Sequence, residues 1–320
     1  SPGWQLLSPV TTVTDLEPLS DSDSRALLMA RGVANVSALE ERLELAQGQP
    51  LSLALLAELP DDVVLPDAST SIEAYLAALS PAQKKSLVNC VAARTLNPEL
   101  LSVLLMDARG EQADASGAAL DSQVAEAIAF LRGSPLIVST PIRERLHEAL
   151  WEPLAIWAQE MAPEVWRAAH ERLVAYHRQQ LELQGEAVRY LDADWREAQA
   201  AVLYHQLVLA DLKSVGLDAA LLSFADAVQQ FSPWADTVLD IWREAASISD
   251  PTGSVATWLE EVESLSGALF AGDWERAMVL LDRMLLAPGW SPEVLQSLRN
   301  LQQAVASRFT VAPKSQLPYE

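Results

Sequence analysis

Four histidines and one cysteine are the side chains of this 320-residue chain best suited to metal binding or nucleophilic chemistry. His170 and His177 are seven residues apart, which places them on two successive turns of one helix face. No second cysteine and no His-Glu-x-x-His motif accompanies them, so we expect no metal centre. His205 is expected to be a partly buried packing residue. Cys90 lies in the apolar stripe of a predicted helix, where free cysteine is usually a small buried hydrophobe.

Other signatures of catalysis are missing from the sequence. No Gly-x-Ser-x-Gly elbow is present, and none of the twelve glycines is followed by lysine, so there is no P-loop. The carboxylates are spread along predicted helix faces, where they most often form a solvated surface. The sequence does not exclude catalysis by a pair of carboxylates. We therefore expect no enzyme activity from this chain alone.

The charge balance argues against nucleic acid and acidic membranes as partners. Lys and Arg total 22 against 44 Asp and Glu, a formal net charge of −22. Residues 111–132, the helix that would read DNA in a winged-helix unit, carry four carboxylates and only Arg132. Phosphate would repel that surface. One cysteine, no apolar run of about 18 residues and no signal peptide favour a cytoplasmic location.

Apolar periodicity and capping signals predict a mainly α-helical chain. The exception is residues 133–146, where a Gly-Ser-Pro turn, the apolar run Leu136 to Val138 and an alternating segment Ile142 to Leu146 predict a two-stranded hairpin. Helices are expected at 21–29, 37–46, 50–59, 71–79, 81–94, 98–106, 121–132, 148–160, 163–184, 194–212, 216–231, 235–247, 254–271, 274–286 and 291–308.

Three helices followed by a hairpin predict a winged-helix domain with a small β-wing. We place it at residues 71–177, after a helical subdomain at 1–70 and before an antiparallel helical-repeat array at 178–320. The array is predicted from Ala271-Gly272-Asp273-Trp274, which resembles the centre of a tetratricopeptide repeat (TPR), and from a weaker copy that begins at Gly216. Such arrays bind protein partners or ligands on their concave faces.

This order of parts resembles the C-terminal half of STAND-class signalling ATPases, the relatives of NB-ARC proteins. Gly48-Gln49-Pro50-Leu51 is similar to the Gly-x-Pro-Leu motif of their helical lid. Leu146-His147-Glu148 is similar to the Met/Leu-His-Asp motif at the end of their winged helix, with Glu in place of the common Asp. The resemblance implies a lid, a winged helix and a TPR-like array, with the P-loop core lying upstream of Ser1.

The resemblance also implies roles for three residues in the full-length parent, which would bind ADP or ATP with Mg²⁺. Pro50 would lie near the adenine, Gly48 would belong to the same cofactor-binding motif, and His147 would donate to the β-phosphate of ADP. The chain would then be the regulatory part of the switch, with the upstream core and a protein or ligand as its partners. The alternatives are a stand-alone helical-repeat adaptor and, more weakly, a winged-helix transcription regulator.

Overall fold

The computed structural model describes nine stretches of the chain: residues 17–63, 70–94, 96–105, 117–139, 144–184, 190–210, 215–230, 232–248 and 253–311. Most of the polar loop that the sequence predicts at 107–117 lies outside them, as do Thr140 and Pro141 of the turn predicted at 139–141. The described part is mainly helical, as predicted, with fifteen helices and two short strands.

Seven helices precede the strands: α1 (Asp21–Ala30), α2 (Val36–Ala46), α3 (Pro50–Ala57), α4 (Ser71–Ala78), α5 (Pro81–Ala93), α6 (Pro98–Leu105) and α7 (Gly117–Gly133). The strands β1 (Ile137–Ser139) and β2 (Glu144–Leu146) form a two-stranded sheet. Eight helices follow: α8 (Glu148–Met161), α9 (Pro163–Gln184), α10 (Ala193–Val208), α11 (Val215–Gln230), α12 (Ser232–Ser247), α13 (Ser254–Ala271), α14 (Trp274–Leu286) and α15 (Pro292–Val311).

Local capping explains where many of these helices begin. The Ser20 hydroxyl accepts from the Asp23 amide ahead of α1, and Asn35 accepts from the Ser37 amide ahead of α2. Thr70 and Glu73 form a reciprocal capping box at α4. Two predicted boundaries are wrong. The helix predicted to end at 212 ends at Val208, and Asp121 lies inside α7, which begins at Gly117. Ala118 and Ala119 are strong helix formers, and they carry the helix one turn further back.

The chain divides into two compact units, and each is described by itself. The first comprises Ser1–Ser86 and Glu126–Pro141, and the second comprises Leu87–Ala125 and Ile142–Glu320. The division passes through α5 and α7. The three-domain organisation at 1–70, 71–177 and 178–320 remains a prediction, as does the assignment of the middle segment to the winged-helix class.

The first unit is organised around the packing of α2 on α1 and α3, with α3 also against α4. Arg42 of α2 is almost fully buried, and its guanidinium donates to the carbonyl oxygens of Leu59 and Pro60 at 2.8 and 3.0 Å. Asp61 pairs with the same guanidinium and accepts from the Asn35 amide at 3.1 Å. One ion pair, in which Arg42 is buried and Asp61 is partly exposed, thus satisfies two carbonyls beyond the end of α3 and the amide just before α2.

The second unit is built from helices that pack on their sequence neighbours. α9 packs on α10, α10 on α11 and α12, and α12 on α11 and α13. α13, α14 and α15 continue the series, which gives a helical-repeat-like architecture. However, α15 also packs on α11, and the Ser291 amide donates to Asp218 at 3.3 Å. An open array in which each repeat contacts only its neighbours does not predict that return contact.

The two glycines of the predicted repeat motif play different roles. Gly272 ends α13 with a left-handed backbone, φ 70°, and a Cβ there would meet only the Trp274 ring at 3.7 Å. Gly216 is the close-approach glycine, because a Cβ on it would overlap the Gln206 carbonyl carbon at 2.6 Å. The small residue that lets two helices meet closely is therefore in the weaker copy of the motif.

In the stretches that the structure describes, every helix is too short or too polar to reach across a lipid bilayer.

The Gly216→Ala substitution should destabilise the protein by roughly 2 kcal/mol or more, because the backbone of α10 occupies the space of the new methyl group. The matched control is Gly267→Ala within α13, where nothing lies within 4 Å of a Cβ. It should leave stability unchanged or raise it by about 1 kcal/mol through helix propensity. Urea denaturation of both variants measures the difference, and equal stability would contradict the close approach.

Candidate functional site

Gly48 lies in the turn between α2 and α3 and has a clear local role. Its φ is +74°, in the left-handed region that favours glycine, and its carbonyl accepts from the Leu19 amide at 2.8 Å. A Cβ on Gly48 would lie 2.5 Å from the Leu19 carbonyl oxygen. Gly48 therefore holds the extended segment before α1 against this turn.

Pro50 is the first residue of α3 and is exposed. Proline suits that position, because the amide hydrogen it lacks would have no partner within the helix. The Gly48-Gln49-Pro50 motif thus stops one helix and starts the next. Its nucleotide-binding role remains a prediction.

His147 is half-buried at the junction of β2 and α8, where it is the N-cap of α8. Its Nδ1 accepts from the Ala149 amide at 3.3 Å, so Nδ1 has no hydrogen of its own in the neutral ring. The hydrogen is on Nε2, which is the nitrogen left to donate to another group. Gly48 and Pro50 belong to the first unit and His147 to the second.

These residues fit the ADP implied by the STAND resemblance only in part. His147 fits well, because its Nε2–H has no acceptor among the residues that the structure describes and can donate to a phosphate oxygen. Gly48 and Pro50 fit less directly, since the helix boundary alone accounts for their conformations. Phosphate-loop and magnesium-binding motifs are not found in the sequence.

A second candidate site is a pocket of about 560 Å³ within the second unit. Its wall is formed by the end of α5 together with α6, β2, α8, α9, α10 and α12, and it includes Leu146 and Glu148 on either side of His147. The volume lies within the range of small-molecule sites. The aromatic rings, imidazoles and charged groups of the wall are Arg94, Arg145, Glu148, Trp151, His177, Glu197, Tyr204, His205 and Glu244.

Arg94 is the central charge of this pocket. It follows the last residue of α5 with φ 64°, a left-handed conformation that is uncommon for a residue with a side chain. Its guanidinium carbon lies 4.1 Å from the centroid of the Trp151 ring and 5.1 Å from that of Tyr204. It also forms an ion pair with Glu244 of α12. Burial lowers the pKa of Arg94, although Tyr204 and Glu148 act in the opposite direction.

Three histidines lie together beside Arg94. His170 of α9 and His205 of α10 are buried, and their Nδ1 atoms are 2.9 Å apart, so a single hydrogen bond joins the rings. The ring of His177 stacks on that of His205, with centroids 6.0 Å apart. Among the described residues, no group of three or more histidine, cysteine or acidic side chains is arranged to hold a metal ion.

Burial keeps these histidines neutral. Desolvation, followed by the charge of Arg94, lowers the pKa of His170 to about 3. The pKa of His205 lies well below its usual value because of desolvation and then the neighbouring His170, His177 and Arg94. Desolvation also lowers the pKa of His177, although the charge of Glu197 opposes the shift. The predicted packing role of His205 is correct, but its burial is more complete than expected.

Cys90 is fully buried, as predicted, and burial raises the pKa of its thiol to about 12. It is therefore protonated and inert as a nucleophile at neutral pH.

The sequence did not indicate the grouping of Arg94, Trp151 and Tyr204. These residues lie more than 50 positions apart along the chain, and no motif or period links them. The acidic residue Glu244 next to Arg94 is one of 44 carboxylates and has no distinguishing context.

Comparison with known proteins identifies no relative: no protein-family model, no curated protein and no solved structure matches the chain. The assignment of function therefore depends on the residues and their geometry.

Acidification should destabilise the protein from about pH 6.5 downward, where histidine in the unfolded chain begins to bind protons. The folded state leaves His170 neutral until about pH 3, so the unfolded state binds more protons in between. For His170 alone, the free energy of unfolding should fall by about 1.4 kcal/mol in total between pH 7.5 and 5.5, and the slope reaches about 1.4 kcal/mol per pH unit only well below pH 6.5. His205 and His177 add to that slope.

Urea denaturation between pH 7.5 and 5.5, above the range where most carboxylates titrate, would measure this slope. The His177→Gln variant removes one member of the cluster and should make the slope shallower. A free energy of unfolding that stays constant over this window would contradict the neutral histidine cluster.

Proposed function

We propose that this chain is the regulatory part of a STAND-type signalling ATPase. In this proposal, residues 1–177 act as the lid and winged helix that hold ADP against an upstream core. The helical region at 178–320 binds a protein or small ligand that releases the hold. The observation that carries the proposal is the geometry of His147, whose ring caps α8 through Nδ1 and leaves Nε2–H as a donor.

The local structure supports this reading in two further ways. His147 lies at a strand-to-helix junction, which is the place where the resembling motif lies in that family. Its two neighbours, Leu146 and Glu148, line the pocket of the second unit. A ligand in that pocket would contact the residues on either side of His147. Such a ligand could therefore favour one of two conformations of the β2–α8 junction.

A helical-repeat adaptor without a nucleotide switch is the second candidate. It is favoured by large apolar side chains that are exposed on the α13–α14 hairpin: Phe270, Val279 and Leu286 are 55%, 61% and 85% accessible. Exposed apolar residues on neighbouring helices are typical of protein-binding surfaces. A reading frame with no P-loop domain next to this chain would favour the adaptor over the ATPase.

Two substitutions at His147 separate its capping role from a phosphate-binding role. His147→Asn keeps an N-cap acceptor for the Ala149 amide and removes the ring, whereas His147→Ala removes both. In the full-length parent, each variant should bind ADP about 10- to 100-fold more weakly, because one charge-assisted hydrogen bond is lost. Basal activity should rise in both.

Only His147→Ala should also lose about 1 kcal/mol of stability through the missing cap. Unchanged ADP affinity and basal activity in His147→Asn would contradict the proposal, whatever happens to stability. If the wild type and both variants bind ADP with equal affinity, His147 acts only as a helix cap.

A further inference from the structure

One side of the pocket in the second unit carries hydrogen-bond donors. The guanidinium of Arg94 lines it, with Glu244 pairing part of its charge. The indole of Trp151 lines it as well, and its Nε1–H is buried with no hydrogen-bond partner among the described residues. Buried donors in folded proteins are nearly always paired, so an unpaired one beside a pocket indicates a group that arrives with a ligand.

His205 adds a third donor. Its hydrogen bond to the buried ring of His170 determines which nitrogen of His205 bears the hydrogen. One hydrogen lies between the two Nδ1 atoms, and Nε2 of His170 is buried without a partner among the described residues. A buried N–H without an acceptor is rarer than a buried lone pair without a donor. The hydrogen of His170 is therefore on Nδ1, and His205 accepts it.

This tautomer leaves His205 with its hydrogen on Nε2. Since His205 lines the pocket and its Nδ1 is already engaged, Nε2–H is the atom that it offers to a ligand. Arg94 and His205, with Trp151 near them, form a wall suited to a carboxylate.

The pocket also carries acceptors. Glu148 and Glu197 line it and are exposed at its rim, and the charge of Glu197 reaches His177. Together with Glu244 they outnumber the two arginines of the lining, Arg94 and Arg145, which disfavours a multiply charged anion such as a phosphate and favours a cationic group. Leu100, Leu146 and Ile241 supply apolar surface between them.

We propose that this pocket binds a small zwitterion of amino-acid or dipeptide size. Its carboxylate contacts Arg94 and His205, its ammonium group contacts Glu148 and Glu197, and its side chain packs on the apolar surface. A ligand with one carboxylate and one ammonium group places a charge of the complementary sign next to Arg94 on one side of the pocket and next to Glu148 and Glu197 on the other. A volume of about 560 Å³ holds a molecule of that size.

This inference deepens the sensor role in the proposed function, but binding requires neither nucleotide nor an upstream core. The two therefore fail separately: a chain that binds the zwitterion while His147 variants leave ADP affinity unchanged keeps the pocket and loses the switch. If the chain binds no zwitterion while the His147 variants do weaken ADP binding, the pocket proposal is wrong and the switch proposal stands.

Isothermal titration of the intact chain with each of the common L-amino acids, and with glycylglycine and leucylleucine, tests the proposal. At least one of them should bind with Kd below about 1 mM. Two matched analogues of the best ligand probe its ends, the N-acetylated compound without the ammonium and the amine without the carboxylate. Each should bind at least about tenfold more weakly, as expected for the loss of a charged hydrogen bond.

The double variant Glu148→Gln with Glu197→Gln should weaken binding by about tenfold or more. Its matched control is Glu160→Gln with Glu182→Gln, which removes two exposed carboxylates from α8 and α9 outside the pocket lining and should keep wild-type affinity. Thermal unfolding of all variants confirms that they are folded. The proposal is overturned if none of the probes binds the folded chain at about 1 mM, if both analogues bind as well as their parent, or if the two double variants bind equally.

Discussion

The partly buried guanidinium of Arg94 is the interaction around which the second unit is arranged. A buried charge is costly unless it is paired and hydrogen-bonded. Here the pairing is supplied from elements far apart in sequence: the rings of Trp151 on α8 and Tyr204 on α10, and the carboxylate of Glu244 on α12. Loss of Glu244 would leave the two rings but remove the carboxylate that pairs with the charge. The left-handed backbone at Arg94 adds a conformational cost that this surrounding structure has to offset.

Desolvation is the main reason why the neighbouring histidines are neutral, and the charge of Arg94 adds to it. Both disfavour imidazolium at His170 and His205, so the two rings share one hydrogen bond instead of repelling each other. Neutral rings have defined tautomers, and a defined tautomer gives the pocket a fixed pattern of donors. The chemistry of the pocket thus follows from the burial of one cation and two imidazoles.

Helix positions could be predicted closely from local sequence, because caps and stops act within a few residues. The prolines at positions 81 and 98 and the glycine at position 272 each mark a boundary that the structure confirms to within a residue or two. The prediction that a helix begins at Asp121 was wrong because an acidic residue is also compatible with the interior of a helix. Here alanines extend the helix back to Gly117. The pocket could not be predicted, since Arg94 and Tyr204 meet only through the packing of α10, and no periodicity encodes that contact.

His147 connects the pocket with the proposed switch, because the residues on either side of it line the pocket. Under the two proposals, a ligand there and a nucleotide at His147 act on neighbouring positions of the β2–α8 junction, and their affinities are reciprocally coupled. The most direct test of the switch is the nucleotide content of the protein purified with its native upstream sequence, after denaturation and anion-exchange chromatography. The account predicts about one ADP per chain, the occupancy of a single tight site. Protein without nucleotide, together with an upstream sequence that lacks a P-loop, would contradict it.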